Sequence, residues 1–211
     1  MLFCQSLMLL FKVQNVKLKI SRLSAISAYR KDMILETHRL LMRDFVEADW
    51  QAVFTYQSDP SYLRYSYWTY RTQKDVCEFV QMFISQQKEQ PRTKFQLAII
   101  LKAENQLIGN CGIRVNDPEM REANIGYELN TQYWGQGYAT EAAQAILKFG
   151  FEELEMHRIW SWCVAHNVAS VRVLEKIGMR REGHLREKEL IKGRWYDNFL
   201  YAILDHEWKA K

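Results

Sequence analysis

The spacing of hydrophobic residues changes abruptly in the middle of the chain, at a turn that contains two glycines. Before the turn, apolar and polar residues alternate over 124–130, as in a half-buried strand. After Gly135 and Gly137, residues recur at helical spacing along one face: Ala139, Ala142, Ala143, Ile146, Leu147 and Gly150. The sequence therefore predicts a strand, a glycine-bearing turn and a long helix in direct succession.

This turn has the properties of a phosphate-binding site. Glycine lets the backbone approach a ligand closely, and the first turn of a helix offers unpaired N–H groups and partial positive charge. The alternative is that Gly135 and Gly137 serve only the geometry of the turn. A dinucleotide-binding turn fits less well, because Tyr138-Ala139-Thr140 follows without a third glycine and no second βαβ half is present.

Hydrophobic patterning elsewhere predicts a mixed α/β domain rather than a repeated βαβ array. Thr72 has the signature of an N-cap and Gly178 that of a C-cap. The predicted helices are 47–57, one that begins after Thr72, one after Gly137, and 169–177. The predicted strands are 34–43, 95–101, 106–115, 124–130, 157–164 and a final hairpin within 183–204 that turns at Lys192-Gly193.

Composition is that of an ordinary globular protein. The 211 residues are 48% hydrophobic and 26% charged, which suits one domain with a substantial core. The net charge of +4 is compatible with an anionic cofactor and too small to indicate nucleic-acid binding. Histidines and cysteines lack metal-ligand spacing, so no metal site is expected. All cysteines except Cys4 sit in apolar runs typical of buried, reduced thiols.

The first 32 residues differ from the remainder of the chain. They contain a short apolar run, but no basic region before it and no small-residue cleavage site after it, so a signal peptide fits poorly. We expect residues 1–32 to be an appendage outside the fold and residues 33–208 to form a single domain, with Met33 as a hypothetical true start. The chain has no apolar run of about 18 residues, so no membrane span and a cytoplasmic location are expected.

Several blocks of the sequence resemble one known family. Gln132-x-x-Gly135-x-Gly137 resembles the (Gln/Arg)-x-x-Gly-x-(Gly/Ala) pyrophosphate-binding motif of the GNAT family of N-acetyltransferases. The segment 167–179 is similar to a block of the branch that acetylates the N-termini of ribosomal proteins. The segments 182–197 and 35–43 also resemble that branch. The blocks occur in family order, which is far more specific than any one of them.

The resemblance implies a fold and a cofactor site. The implied fold is α/β (α+β), with a mixed, mostly antiparallel sheet that is splayed between its middle strands and flanked by helices. The implied co-substrate is acetyl-CoA, with no metal, and the backbone N–H at Leu129 is implied to polarise the thioester carbonyl. The residues implied to bind acetyl-CoA are Leu129 and Asn130 at the pantetheine arm, Gln132, Gly135, Gln136, Gly137, Tyr138, Ala139 and Thr140 at the pyrophosphate, and Asn167 near the sulfur.

The resemblance also suggests catalytic groups. Many relatives carry a tyrosine acid where this chain has Leu174, and in the ribosomal-protein branch a serine at the position of Ser170 is proposed to serve instead. The alternative is that Ser170 caps its helix. Glu189 occupies the place of the proposed base of that branch. Glu187, on the same strand face by period-two counting, and Glu128 are further candidates. The alternative for Glu187 and Glu189 is that they are solvated strand carboxylates.

Three functions remain open. The first is acetyl transfer, by direct attack in a ternary complex, to a protein N-terminus such as that of a ribosomal protein. The second is the same chemistry on a small amine such as an amino acid, polyamine or antibiotic, and the third is a non-catalytic CoA-binding module. No nucleic-acid or membrane partner is expected, and a homodimer is one alternative for the oligomeric state.

Aromatic residues give two further expectations. Trp160 and Trp162 share a strand face and are expected to pack in the core. The segment 65–70, rich in tyrosine, lies where relatives build a wall of the acceptor site. Its alternative is a surface loop anchored by aromatic residues.

Overall fold

One sheet runs through the described part of the chain, residues 33–210 of this computed structural model. Its strands are β1 (Ile34–Glu36), β2 (Leu40–Asp44), β3 (Lys94–Leu101), β4 (Gln106–Asp117), β5 (Glu122–Leu129), β6 (Arg158–Val164), β7 (Arg180–Ile191) and β8 (Arg194–Leu204). The strand order is β1-β2-β3-β4-β5-β6-β8-β7. Neighbouring strands are antiparallel except β5 and β6, which are parallel.

Helices flank this sheet on both faces. They are α1 (Trp50–Gln57), α2 (Pro60–Leu63), α3 (Gln73–Gln86), α4 (Tyr138–Lys148), α5 (Val168–Lys176) and α6 (Asp205–Lys209). A π-helical turn, Phe149–Glu153, continues α4, and a 3-10 turn, Thr131–Tyr133, precedes it. The predicted class, a mostly antiparallel mixed sheet flanked by helices, is confirmed. The predicted appendage, residues 1–32, lies outside the described residues.

The segment predicted as one strand, 34–43, is a hairpin of two strands. The Thr37 N–H donates to the Leu40 carbonyl over 2.9 Å, and the Leu40 N–H donates to the Thr37 hydroxyl over 2.9 Å. A threonine hydroxyl that accepts a nearby backbone N–H offers the chain an alternative to the strand ladder, so the chain reverses here. The single-strand prediction was wrong because this local bond is invisible to a hydrophobic pattern.

Local helix signals place the other elements well. Thr72 caps α3, since its hydroxyl accepts from the Asp75 N–H while the Asp75 carboxylate accepts from the Thr72 N–H. Gly178 follows α5 with φ of +86°, as a helix C-cap requires. The short helix α2 was not predicted. The Asp59 carboxylate caps it and Pro60 is its first residue, so that this proline begins a helix as well as ending the preceding one.

The core consists of two hydrophobic clusters, one on each face of the sheet. Residues of α4 and the π-helical turn pack in the first, and residues of α1 and α3 pack in the second. Among the described residues, the second cluster contains nothing from β6. Trp162 is consequently 45% exposed and Trp160 is half-buried, so their predicted core position was wrong.

The expectations about thiols and membrane spans have different outcomes. Cys111 and Cys163 are buried, but Cys77 is exposed because it lies beside the buried stripe of Val76 and Val80 on α3. Within residues 33–210, no helix has the length and apolar content that crossing a membrane requires. The cytoplasmic location stays a prediction.

Candidate active site

The parallel strands β5 and β6 separate part-way along their length. Their pairing is limited to residues 122–124 of β5 and 158–160 of β6. Both strands continue beyond it without pairing to each other, and the Ser161 hydroxyl donates to the Ile125 carbonyl over 3.0 Å at the point of separation. The result is an opening between the middle strands, where the splay was expected.

Backbone groups of β5 face this opening. The Asn130 N–H donates to the Ile108 carbonyl over 2.8 Å, in register with the pairing of β4 and β5. Because hydrogen-bonded and non-hydrogen-bonded pairs alternate in an antiparallel ladder, the amides of Tyr127 and Leu129 point away from β4, towards the opening. The Leu129 carbonyl already accepts from the Trp134 indole N–H over 2.8 Å. The Leu129 N–H therefore lies where an oxyanion donor was predicted.

Asn130 is placed differently from the prediction. Its N–H donates to Ile108, its carbonyl accepts from the Tyr133 N–H over 2.9 Å, and its side chain accepts from the Gln132 N–H over 3.1 Å. The backbone N–H and carbonyl of Asn130, one of the two residues predicted to pair with the pantetheine arm, thus both have partners within the protein. Asn130 instead caps the 3-10 turn that leads to the glycines.

The glycine turn presents a row of unpaired amides. Gly135 has φ of +75° and Gly137, the N-cap of α4, has φ of +84°. The amide N–H groups of residues 135–140 donate no hydrogen bond to any group in the described part of the chain. The Gln136 side chain donates to the Gln132 carbonyl over 3.1 Å and closes the turn on itself. Free amides at a helix N-terminus form an anion site.

A clamp from the β1–β2 hairpin holds the glycine turn, and no local sequence pattern predicts it because its partners lie about a hundred residues apart. The Glu141 carboxylate accepts from the Thr37 hydroxyl (2.6 Å), the Arg39 N–H (2.9 Å) and the Arg39 side chain (2.7 Å). The Arg39 guanidinium also donates to the Gln136 carbonyl and lies over the Tyr138 ring. Burial alone would raise the pKa of Glu141, but these hydrogen bonds hold it below its usual value. The clamp therefore holds an ion pair beside the free amides and fixes the position of the turn.

The start of α5 places Ser170 against a hydroxyl from β5. Asn167 is the N-cap of α5, since its side chain accepts from the Ser170 N–H, so the capping alternative for Ser170 was wrong. The Ser170 and Tyr127 hydroxyl oxygens are 2.9 Å apart, and the Tyr127 hydroxyl also lies 3.1 Å from the Ser170 carbonyl. Burial raises the pKa of Tyr127, which therefore stays protonated. Leu174, at the usual tyrosine position, is fully buried.

Glu128 lies in a buried polar cluster on the opposite face of β5. Its carboxylate accepts from the side-chain amides of Gln57 and Asn110, each over 3.0 Å. The Tyr56 hydroxyl is 3.5 Å from the same oxygen. Burial, with the charge of Glu128, raises the pKa values of Tyr56 and Tyr62. Both tyrosines therefore remain neutral donors, and Glu128 is fixed in place.

The two carboxylates of β7 are not equivalent. Glu189 is half-buried and accepts from the Tyr67 hydroxyl, and burial together with this bond raises the pKa of Tyr67 to about 12. Glu187 is exposed with φ of +47°, and its N–H donates to Asp197 over 2.8 Å. Between the flanking β7–β8 pairs, the three residues 186–188 of β7 lie opposite a single residue of β8, Asp197. This bulge breaks the period-two counting that placed Glu187 and Glu189 on one face.

The segment 65–70 is tied to neighbouring elements. The Tyr65 hydroxyl donates to the His166 carbonyl over 3.0 Å, and the Tyr65 ring meets the Tyr196 ring edge-on. Lys192, in the β7–β8 turn, donates to the Leu63 carbonyl over 2.8 Å. Together with the Tyr67–Glu189 bond, these contacts join the segment to the β7–β8 hairpin.

A cavity of about 280 Å³ lies in the opening between β5 and β6. It is lined by Arg114, Asn124, Ile125, Gly126, Tyr127, Ser161, Trp162 and Ser170. A larger, more open groove of about 1080 Å³ lies between α4 and α6 and extends to Thr37 and Glu141, but none of residues 122–140 lines it. The smaller cavity is the one in which Ser170, the predicted hydroxyl donor, lies beside the splayed strand β5. The described residues contain no cluster of metal-ligating side chains.

Comparisons with known proteins agree with this geometry. The chain matches the acetyltransferase (GNAT) domain model over residues 39–180. It is 41% identical over 177 residues to YnaD of Bacillus subtilis (strain 168), an uncharacterised N-acetyltransferase, with 83% of this chain and 99% of that protein covered. A GNAT-family acetyltransferase structure from Bacillus anthracis has a TM-score of 0.73 and 38% identity, over 83% of this chain and 100% of that chain.

A ribosomal L7/L12 α-N-protein acetyltransferase in complex with coenzyme A has the same fold. Its TM-score is 0.73 at 22% identity, over 83% of this chain and 99% of that one. The family match spans the opening, the glycine turn and the start of α5. The chain therefore belongs to the GNAT family and is an N-acetyltransferase.

Proposed function

We propose that this enzyme transfers the acetyl group of acetyl-CoA to a primary amine by direct attack in a ternary complex. The observation that carries the proposal is the continuity of free backbone groups along one segment. The amides of Tyr127 and Leu129 face the opening, and the unpaired amides of residues 135–140 follow. The pyrophosphate binds at the turn, the pantetheine arm runs along β5, and the thioester reaches the cavity beside Ser170.

Release of thiol from acetyl-CoA, measured across amino acids, polyamines and peptides with free N-termini, tests this function. We expect acceptor-dependent thiol release, with an acetylated amine identified by mass spectrometry. Tight binding of coenzyme A without turnover of any acceptor would instead identify a non-catalytic CoA-binding module.

The glycine turn gives a test of cofactor binding. Alanine at Gly137 would adopt φ of +84° and place a methyl group 3.4 Å from the Arg39 side chain. The left-handed conformation costs about 1–2 kcal/mol for a residue with a Cβ. Gly193→Ala is the matched control, because its φ is +77° and open space surrounds it in the β7–β8 turn. We expect both variants to lose similar stability, and only Gly137→Ala to weaken coenzyme A binding in titration calorimetry. Equal affinities in the two variants would contradict the assigned phosphate site.

The amine must be neutral when it attacks, so its ammonium form needs a base. An α-amine has a reference pKa of about 8, and a carboxylate can accept its proton directly or through water. We assign this role to Glu128, because it follows the cavity residues Asn124 and Gly126 on the same face of β5. Glu189, the candidate favoured by family resemblance, instead accepts a hydrogen bond from Tyr67 of the segment 65–70. The oxyanion of the tetrahedral intermediate is stabilised by the Leu129 N–H.

Glu128→Gln and Glu189→Gln separate these two assignments. We expect Glu128→Gln to lower kcat about 100-fold or more at pH 7, since this is the usual contribution of a general base. The loss should shrink as pH rises, because more of the amine is then already neutral. Glu189→Gln should change kcat little and act mainly on the acceptor KM. The reverse pattern would return the role of base to Glu189.

The leaving thiolate is stabilised by the Ser170 and Tyr127 pair. A hydroxyl is far less acidic than a thiol, whose pKa is about 8.5, so Ser170 donates a hydrogen bond and the thiolate later takes its proton from water. Both oxygens of Ser170 lie within reach of the Tyr127 hydroxyl. When Tyr127 donates its proton to the Ser170 hydroxyl oxygen instead of the Ser170 carbonyl, the serine proton is free to turn towards the sulfur. The phenol that relatives carry on the helix is here supplied from β5.

A double-mutant cycle measures this coupling. A hydrogen bond to a charged group contributes about 1.5–3 kcal/mol, so Ser170→Ala should lower kcat roughly 10- to 100-fold. Tyr127→Phe should lower kcat less, and should have no further effect when Ser170 is already alanine. Tyr201→Phe is the control, because its hydroxyl binds Glu175 elsewhere on α5. Additive losses in kcat would show that Tyr127 acts independently of Ser170.

A further inference from the structure

Arg114 projects from β4 into the cavity of the active site. It lies opposite Asn124 of β5, and its guanidinium lies 3.5 Å from the position that a Cβ would occupy at Gly126. Because Gly126 has no side chain, nothing from that position stands between the guanidinium and the cavity. Arg114 and Trp162 line the same space as Ser170.

The charge of Arg114 has no carboxylate partner in the described part of the chain. The guanidinium donates to the side-chain carbonyls of Gln96 over 2.6 Å and Asn124 over 3.5 Å, and both acceptors are neutral. Burial lowers the pKa of Arg114, although the negative charge of Glu128 acts in the opposite direction. By contrast, three other partly or fully buried arginines form ion pairs: Arg43 with Asp49, Arg92 with Asp44, and Arg158 with Glu182. Arg71, which is also buried, donates to the Asp75 carbonyl and does not line the cavity.

An uncompensated, partly buried guanidinium attracts an anionic group, which it binds in bidentate fashion. The residue beyond Gly126 on the same face of β5 is Glu128, and same-face neighbours of a strand are about 7 Å apart. The positive side chain of Arg114 and the negative side chain of Glu128 thus border neighbouring parts of the proposed acceptor site. Opposite charges at neighbouring positions along one face suit a molecule whose ammonium and carboxylate groups are attached to one carbon. A polyamine would bring a second positive charge towards Arg114, and a peptide N-terminus offers only a neutral carbonyl there.

We infer that the acceptor is a free α-amino acid, whose carboxylate binds Arg114 while its amine faces Glu128. This inference rests on the proposed acetyl transfer and names its substrate class. The cavity of about 280 Å³ favours compact amino acids, since it must also admit the acetyl group. Arg114 is the specificity-determining residue of this subsite, and the hydrogen bonds from Gln96 and Asn124 orient its guanidinium.

Paired acceptors test the carboxylate directly. L-Alanine and L-serine are compared with their C-terminal amides, which keep the amine and remove the negative charge. The amides are less basic and so contain more neutral amine, which makes them the better nucleophiles at pH 7 without a carboxylate site. We expect the wild-type enzyme to prefer the acids by about 10-fold or more in kcat/KM, mainly through KM. Preference for the amides, for peptides or for spermidine would overturn the inference.

Variants assign the preference to Arg114. Arg114→Met should abolish discrimination between acid and amide, and Arg114→Lys should retain part of it because the charge remains. Arg121→Gln is the matched control, since Arg121 does not line the cavity and its side chain binds the Glu155 carbonyl and Asp205 instead. Melting temperature checks that each variant is folded. A preference that survives in Arg114→Met, or an equal loss of kcat with acids and amides, would assign the preference to another group.

Titration of L-alanine and its amide into the enzyme saturated with coenzyme A separates this inference from the proposed reaction. Selective binding of the acid that is lost in Arg114→Met supports the subsite even if no acetyl transfer is detected. Transfer to other amines without binding of L-alanine supports the reaction and contradicts the subsite.

Discussion

The separation of β5 from β6 is the constraint on which the rest of the site depends. A parallel pair needs a crossover connection, and α4 with its glycine turn is that connection. Where the pairing stops, buried backbone groups need other partners. The Ile125 carbonyl bonds to Ser161 and the Leu129 carbonyl to Trp134, whereas amides of β5 face the opening. One departure from regular pairing therefore creates both the cleft and the donors that a ligand can satisfy.

Charge is distributed unevenly around this cleft. At the glycine turn, Arg39 is balanced by Glu141, and this ion pair holds the hairpin and the helix together. On β5 and β4, Glu128 is held by neutral donors and Arg114 by neutral acceptors. The charges that fix the turn are thus paired with each other, whereas those of Glu128 and Arg114 are hydrogen-bonded to neutral groups.

Elements governed by neighbouring residues were predictable, and elements governed by distant ones were not. Thr72, Gly178 and the glycine turn act within a few residues, so their signals are local. The position of Trp162 depends on which part of the sheet α1 and α3 cover, which no strand pattern contains. Likewise, the bulge around Glu187 depends on its bond to Asp197 across the hairpin, and it defeats any count of alternating faces.

The sequence by itself determined the class of fold, the glycine turn with the helix that follows it, and the family, because these follow from hydrophobic period, glycine placement and the order of motifs. Only the tertiary structure decided which groups meet in the cleft. It joined Arg39 to Glu141, Tyr127 to Ser170, and Glu128 to Gln57 and Asn110, pairs mostly separated by tens of residues. Such contacts arise when strands pair and helices pack, and the environment that they create around each side chain is a property of the folded chain alone.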